Sequence, residues 1–204
     1  MGIEQRRQRE RDARRKAVLD ATRGLVRQHG FNGTTTRQIA ETCELGEGTL
    51  FSYFQSKDEI FIALLFEGID FMARGLERIA EENVPQDRNM TRLWQFFAEV
   101  RRQHPEYFHI FSYLAHPDST AAVSDKMKTQ IAHRSGDNFR RLAGLLQGSM
   151  PMREARLVAD LLWAAFVGLT VLQDSRENLG APLHPNDREL AAAVDLLRWG
   201  IARS

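Results

Sequence analysis

From one end of this chain to the other, apolar residues recur at three- and four-residue spacings, and no run sustains the alternation in twos that a strand needs. That periodicity predicts an all-α fold of about nine helices. The first runs from about Asp12 to His29 on a stripe of Val18, Ala21, Thr22, Leu25 and Val26, and Gly30 stands where a left-handed cap is cheapest. In the loop beyond it, Phe31 is expected to fold back onto the helix. Thr35 and Gln38 have the spacing of a capping box and open a second helix, which buries Ile39 and Ala40 and lasts to about Thr42. A third short helix is expected over 47–53. Ser56 and Glu59 then form a second capping box, starting a long helix to about Glu82. Prolines 105, 117 and 151 and the stretch "NLGAPLHPND" break the rest into helices at about 88–103, 105–115, 118–148, 152–178 and 187–202.

A chain of 204 residues, 43% hydrophobic and 27% charged, has enough material for one or two cores and is not disordered in composition. Its most membrane-like run, residues 157–172, is interrupted by Asp160 and falls short of the ~18–20 apolar residues a span requires. A buried helix is expected there, and no membrane partner. The first residues lack the apolar centre of a signal peptide. The single cysteine, Cys43, excludes an internal disulfide framework and fits a reducing compartment, so a cytoplasmic location is expected.

The net charge of +1 hides an imbalance. Residues 1–57 hold eleven Lys and Arg against seven Asp and Glu, and Arg6, Arg7, Arg9, Arg11, Arg14, Arg15 and Lys16 crowd the start. A basic head on a mildly acidic body points to a polyanion for the head, or else to a solvated helix end.

Between the capping boxes, two short helices joined by a tight turn read as a helix-turn-helix. Its second helix must lie in a DNA groove, which explains the side chains of "GEGTLFSYF". Gly48 lets the backbone approach nucleic acid, and Thr49 offers a hydroxyl and a methyl. Leu50 and Phe54, four apart, anchor the helix inward, while Tyr53 presents a phenol at phosphate height. The start of the next helix brings backbone N–H groups and Lys57 to where a phosphate would sit.

Residues 17–65 resemble the N-terminal domain of TetR-type (tetracycline-repressor-like) regulators. The parts that carry the resemblance are Gly30-Phe31, Thr35 through Ile39-Ala40, Gly48-Thr49-Leu50-Phe51, Phe54 and Ser56-Lys57-Asp58. The resemblance implies a DNA-binding domain over 1–57 and a helical ligand-binding and dimerisation domain over 58–204. It implies DNA contacts at Thr36, Arg37, Gln38, Thr49, Phe51, Tyr53 and Lys57. Arg37 would take guanine bidentately, and Gln38 would read adenine or cap its helix. Lys57 and the Arg-rich head would position on phosphates. Three positions depart from the family pattern. Phe51 stands where Tyr is usual. Glu44 replaces the turn glycine, at a cost of roughly 1–2 kcal/mol if left-handed. Gly46 and Glu47 replace Ser and often a basic residue, and Glu47 either accepts from cytosine or weakens non-specific binding.

The resemblance further implies a cavity in the larger domain, with Trp94, Phe97, Tyr107, Phe111, Met127, Ile131 and Phe166 as candidate lining for an apolar or aromatic small-molecule effector. Arg101 and His109 either bind a carboxylate or face water. Leu157, Leu161, Ala164, Ala165, Gly168 and Leu172, with Leu190, Val194, Leu197 and Ile201, make two-sided helices that need a partner chain, as in the family's C2 dimers on pseudo-palindromic DNA. No nucleophile elbow, P-loop or zinc pattern occurs, so the chain reads as no enzyme, with no cofactor and no metal. Two functions remain open: a one-component repressor released by its effector, or a ligand-free DNA-binding scaffold whose larger domain only dimerises or docks another protein.

Overall fold

The computed structural model describes residues 2–82, 85–108 and 123–180, together with Ala192 and Asp195. All regular structure among them is helical. The helices are α1 (Ile3–Gly33), α2 (Thr36–Thr42), α3 (Glu47–Tyr53), α4 (Lys57–Glu81), α5 (Gln86–Gln103), α6 (Asp125–Leu146) and α7 (Met152–Asn178), with a further helical segment at 105–108. The expected helix over 187–202 lies outside the described residues.

α1 begins nine residues before its expected start at Asp12. Residues 3–11 are nearly all Arg, Gln and Glu, good helix formers, and extending a helix already nucleated at Val18–Val26 costs little. Gln8 donates to Asp12 at 2.9 Å on the exposed extension. At the other end Gly30 has a positive φ of 68° and non-helical backbone, so regular helix breaks there as expected, and a last turn beyond the kink runs to Gly33. Phe31 turns into the core it shares with Val18, Leu19 and Val26 of α1, and its ring meets Phe61 of α4 edge-on at 4.8 Å.

The chain divides into two compact units, Met1–Asp70 with Gln103–Ile131 and Phe71–Arg102 with Ala132–Ser204. In the first, α1, α2 and α3 pack on one another around Val18, Val26, Ile39, Leu50 and Phe54, and α4 adds Ile60, Phe61 and Leu64. Each fully buried Leu, Ile or Phe is worth about 1.5–3 kcal/mol of transfer free energy. Three local devices fix the short helices within this core. The Thr35–Gln38 capping box is built in both directions. Glu44 is left-handed, φ 54°. That conformation lets Glu44 N–H reach Glu41 O at 3.1 Å and Leu45 N–H reach Ala40 O at 2.9 Å, closing α2 with two bonds that offset part of the strain. Ser56 Oγ accepts from Glu59 N–H at 3.1 Å, but the Glu59 carboxylate takes the N–H of Gln55, one residue before the one a capping box would use.

The first unit also buries a carboxylate. Glu106, whose side chain is 1% exposed, accepts two hydrogen bonds from Arg27 of α1, at 2.7 and 3.0 Å, and lies 3.4 Å from Arg23 Nε. Arg23 also pairs with Glu67 of α4. Next to Glu106, the Tyr107 ring rests on Gly68 of α4, where a Cβ would come within 2.9 Å of it. A charge so buried persists only because the guanidinium groups replace its water.

In the second unit, α5 buries Leu93, Trp94, Phe96, Phe97 and Val100, α6 buries Leu142, Ala143 and Leu146, and α7 buries Ala155, Val158, Ala159, Leu162 and Phe166. Phe96 fills the notch at Gly75 of α4, where a Cβ would stand 2.0 Å from the ring. Arg101, a possible carboxylate-binding group by sequence, pairs with Asp174 of α7. α7 is buried on one side only, which leaves the leucines expected to need a partner chain in the open. One face is packed, while Leu157 is 60% and Leu161 49% exposed, with Val171 and Leu172 close behind. By length and composition alone α7 is apolar enough to cross a membrane, but a third of that window is buried within the protein and Asp160 pairs with Arg156 at 3.1 Å on its open side.

Candidate nucleic-acid interface

α3 has two faces. Leu50 and Phe54 are fully buried, so Gly48, Thr49 and Phe51 are turned outward. A Cβ built on Gly46 or Gly48 meets nothing within 4 Å, which leaves backbone open to approach at the start of the helix. The first turns of α2 and α3 lie side by side: Thr36 Oγ1 donates to Glu47 Oε2 at 3.1 Å. Arg37 stands beside them, 78% exposed along its side chain, and pairs with Glu41 at 2.9 Å. The hydrogen bond to Glu41, helped by the charges of Glu41 and Glu47, holds its guanidinium above the ordinary arginine range. Thr36, Arg37, Glu47, Gly48 and Thr49 therefore form one polar edge.

Gln38 does something more specific than the sequence allowed. Its Oε1 accepts from the N–H of Thr35 at 2.8 Å and from the hydroxyl at 2.9 Å, so the capping role is the one built. Tyr53 and Lys57 stand at the far end of α3 and the first position of α4, both half-buried. The Lys57 ammonium sits 5.1 Å over the Phe61 ring, and burial pushes its pKa below the usual lysine value. A desolvated ammonium at a helix start suits an anion better than it suits water.

Two arginines of the basic head, expected on phosphates, reach this edge from behind. Arg15 donates to the Tyr53 carbonyl, covers the Phe54 ring at 3.9 Å and lies 3.6 Å from Glu59. Arg11 reaches the Ser52 carbonyl at 3.5 Å. A seven-residue helix leaves most of its carbonyls unpaired at its C-terminus, and these guanidinium groups reach two of them, Ser52 and Tyr53, while complementing the helix dipole. The signal was present in the spacing Arg11, Arg15, Leu19, Thr22, Val26, the buried stripe of α1 continued as arginine.

The candidate effector-lining residues separate. Trp94, Phe97 and Phe166 come together in the second unit, with Trp94 edge-on to Phe166 at 5.2 Å and Phe97 to Phe166 at 5.4 Å. Trp163, which was not among the candidates, joins them 5.2 Å from Phe97. Tyr107, Met127 and Ile131 belong to the first unit, where Ile131 packs on its core. Phe111 lies outside the described residues, as does His109.

Residues 18–64 match the family of bacterial regulatory proteins described as the tetR family. Over 156 residues the chain is 22% identical to the HTH-type transcriptional regulator YhgD of Bacillus subtilis (strain 168), spanning 76% of this chain and 82% of that one. In fold it is similar to a transcriptional regulator from Rhodococcus sp. Rha1, with a TM-score of 0.68 at 20% identity over 90% of this chain and 92% of that one. It is also similar to the transcriptional regulator FadR from Bacillus subtilis, solved in complex with stearoyl-CoA, with a TM-score of 0.58 at 15% identity over 89% and 96% of the two chains.

Proposed function

We propose that this chain, a member of the tetR family of bacterial regulatory proteins and not an enzyme, is a one-component repressor working in the cytoplasm. It binds a pseudo-palindromic operator as a homodimer and leaves it when a small apolar effector occupies the domain formed by 58–204. The observation that carries the proposal is the shared polar edge of α2 and α3, tied by Thr36 and Glu47, over a core that holds α3 rigidly by Leu50 and Phe54. On DNA, Arg37 exchanges Glu41 for a base edge, and Thr49 and Phe51 add hydroxyl and apolar contacts. Lys57, Tyr53 and the exposed arginines at the start of α1 hold phosphates.

The exposed apolar side of α7 supports dimerisation. Leu157, Leu161, Ala164, Gly168 and Leu172 follow one another at intervals of four, three, four and four along that side. Such a stripe is stable in water when a second copy covers it, and a two-fold pair of chains sets the spacing of two half-sites. For the effector, the aromatic cluster of the second unit and the stearoyl-CoA held by a protein of similar fold make acyl groups on coenzyme A the first class to test. Binding would shift the dimer toward a spacing that no longer fits the operator.

The test is selection of bound fragments from sheared DNA of the source organism at physiological salt. Enrichment of a pseudo-palindrome supports a sequence-specific dimer. Recovery of random fragments whose binding collapses with added salt would refute it, leaving only phosphate attraction by the basic head.

A further inference from the structure

The Trp94 side chain is 4% exposed, and its Nε1 is buried with no hydrogen-bond acceptor among the described residues. An N–H that has given up water for no acceptor is rare in a folded protein. The rings that hold Trp94 in place offer no remedy: Phe166 meets it edge-on, and Phe97 and Trp163 complete the cluster behind Phe166. A trapped water is the ordinary solution for an orphaned donor, but it needs two to four polar partners, and the ring set against Trp94 among the described residues supplies none. Arg101, on the same helix, is already paired with Asp174.

We infer that the Trp94 indole N–H is the polar anchor of the effector site, donating to an oxygen at the head of an apolar chain, the carbonyl of an acyl group. The inference rests on the second domain being an effector domain. One side chain meets both needs of such a site, because the indole face extends the apolar wall while its N–H fixes where the chain begins. A single buried donor also gives selectivity. A ligand of equal length lacking the oxygen buries the same apolar surface and leaves the N–H unpaired.

The experiment uses the full-length protein and two probes, dodecanoyl-CoA and the dodecyl thioether of coenzyme A, which differ by one carbonyl oxygen. Nitrogen-15 labelling gives indole signals for Trp94, Trp163 and Trp199, and Trp94→Phe identifies the first. The Trp94 N–H proton is expected to move downfield with the acyl probe and to stay in place with the thioether. The acyl probe should bind the wild type about tenfold more tightly than the thioether, and Trp94→Phe should bring the two within about twofold. An unmoved Trp94 signal, or an affinity ratio of one in the wild type, would overturn Trp94 as the anchor while leaving acyl binding intact. Binding of neither probe would remove the acyl-effector proposal and this inference together.

Discussion

The two units of this protein solve the same problem in opposite ways. The first closes on itself: Val18, Ile39, Leu50, Phe54 and Ile60 are wholly buried, and the groups left outside are mainly arginines, threonines and glutamates, with Phe51 on the α3 edge as the exposed ring. The second buries an equally aromatic core yet leaves a leucine stripe on α7 and an indole N–H with no acceptor among the described residues. On the proposed function, the difference follows from what each meets. A charged, hydrated polymer is held by polar side chains that are content in water before it arrives. A second protein copy or an apolar ligand is held by surface that water disfavours, so the demand is visible before the partner is present.

The comparison can be broken most forcefully at the first core. Phe54→Ala should destabilise the protein by about 3–5 kcal/mol in denaturant titration, since it empties a fully buried site. A loss under about 1 kcal/mol would mean the first unit is not self-sufficient. Changing Leu157 and Leu161 together to Glu should convert a dimer into a monomer in light scattering and weaken operator binding by about a hundredfold, with helix content unchanged. A variant that stays dimeric would place the interface elsewhere.

A smaller effect separates two glycines. Gly75→Ala should cost about 1–3 kcal/mol, because Phe96 occupies the space, whereas Gly24→Ala, which meets nothing within 4 Å, should stabilise by about 0.5–1 kcal/mol. Equal shifts in melting temperature would deny that the Phe96 ring is seated as described. Smallest are the changes at the reading edge. Lys57→Ala should weaken all sequences alike and lower the salt slope by about 1, while Arg37→Ala should relax preference at one base pair in each half-site. Operator binding like that of the parent in both would move the reading edge away from α2 and α3.

Local chemistry made much of this legible in advance. The Thr35–Gln38 box, the burial of Ile39, Ala40, Leu50 and Phe54, and the bounds of α2, α3 and α7 depend on residues within one turn of each other. What could not be read depends on long-range pairing. No local signal announces that Arg15 will cover Phe54, that Glu106 will be enclosed by Arg23 and Arg27, or that Phe31 will meet Phe61 of α4. The start of α1 was missed for another reason. A helix that is polar all round has no apolar stripe to mark it, and only its propensity and its continuity with Val18 reveal it. The effector residues were scattered because ring-rich positions at helical spacing look alike whether they line a ligand site, as proposed for Trp94, or wedge against a glycine, as Tyr107 does.

The enclosure of Glu106 has a consequence for how this protein can change over generations. Removing that carboxylate alone would leave two guanidinium groups facing one another with only Glu67 and Asp20, both on the Arg23 side, as counter-charge among the described residues, and removing one arginine would leave the carboxylate half-neutralised. Every single step away from the trio is therefore downhill in stability, and such losses do not add independently among residues in one network. Lineages that diverge from this sequence must cross that valley by paired replacements or stay where they are, so Arg23, Arg27 and Glu106 should be inherited together or exchanged together.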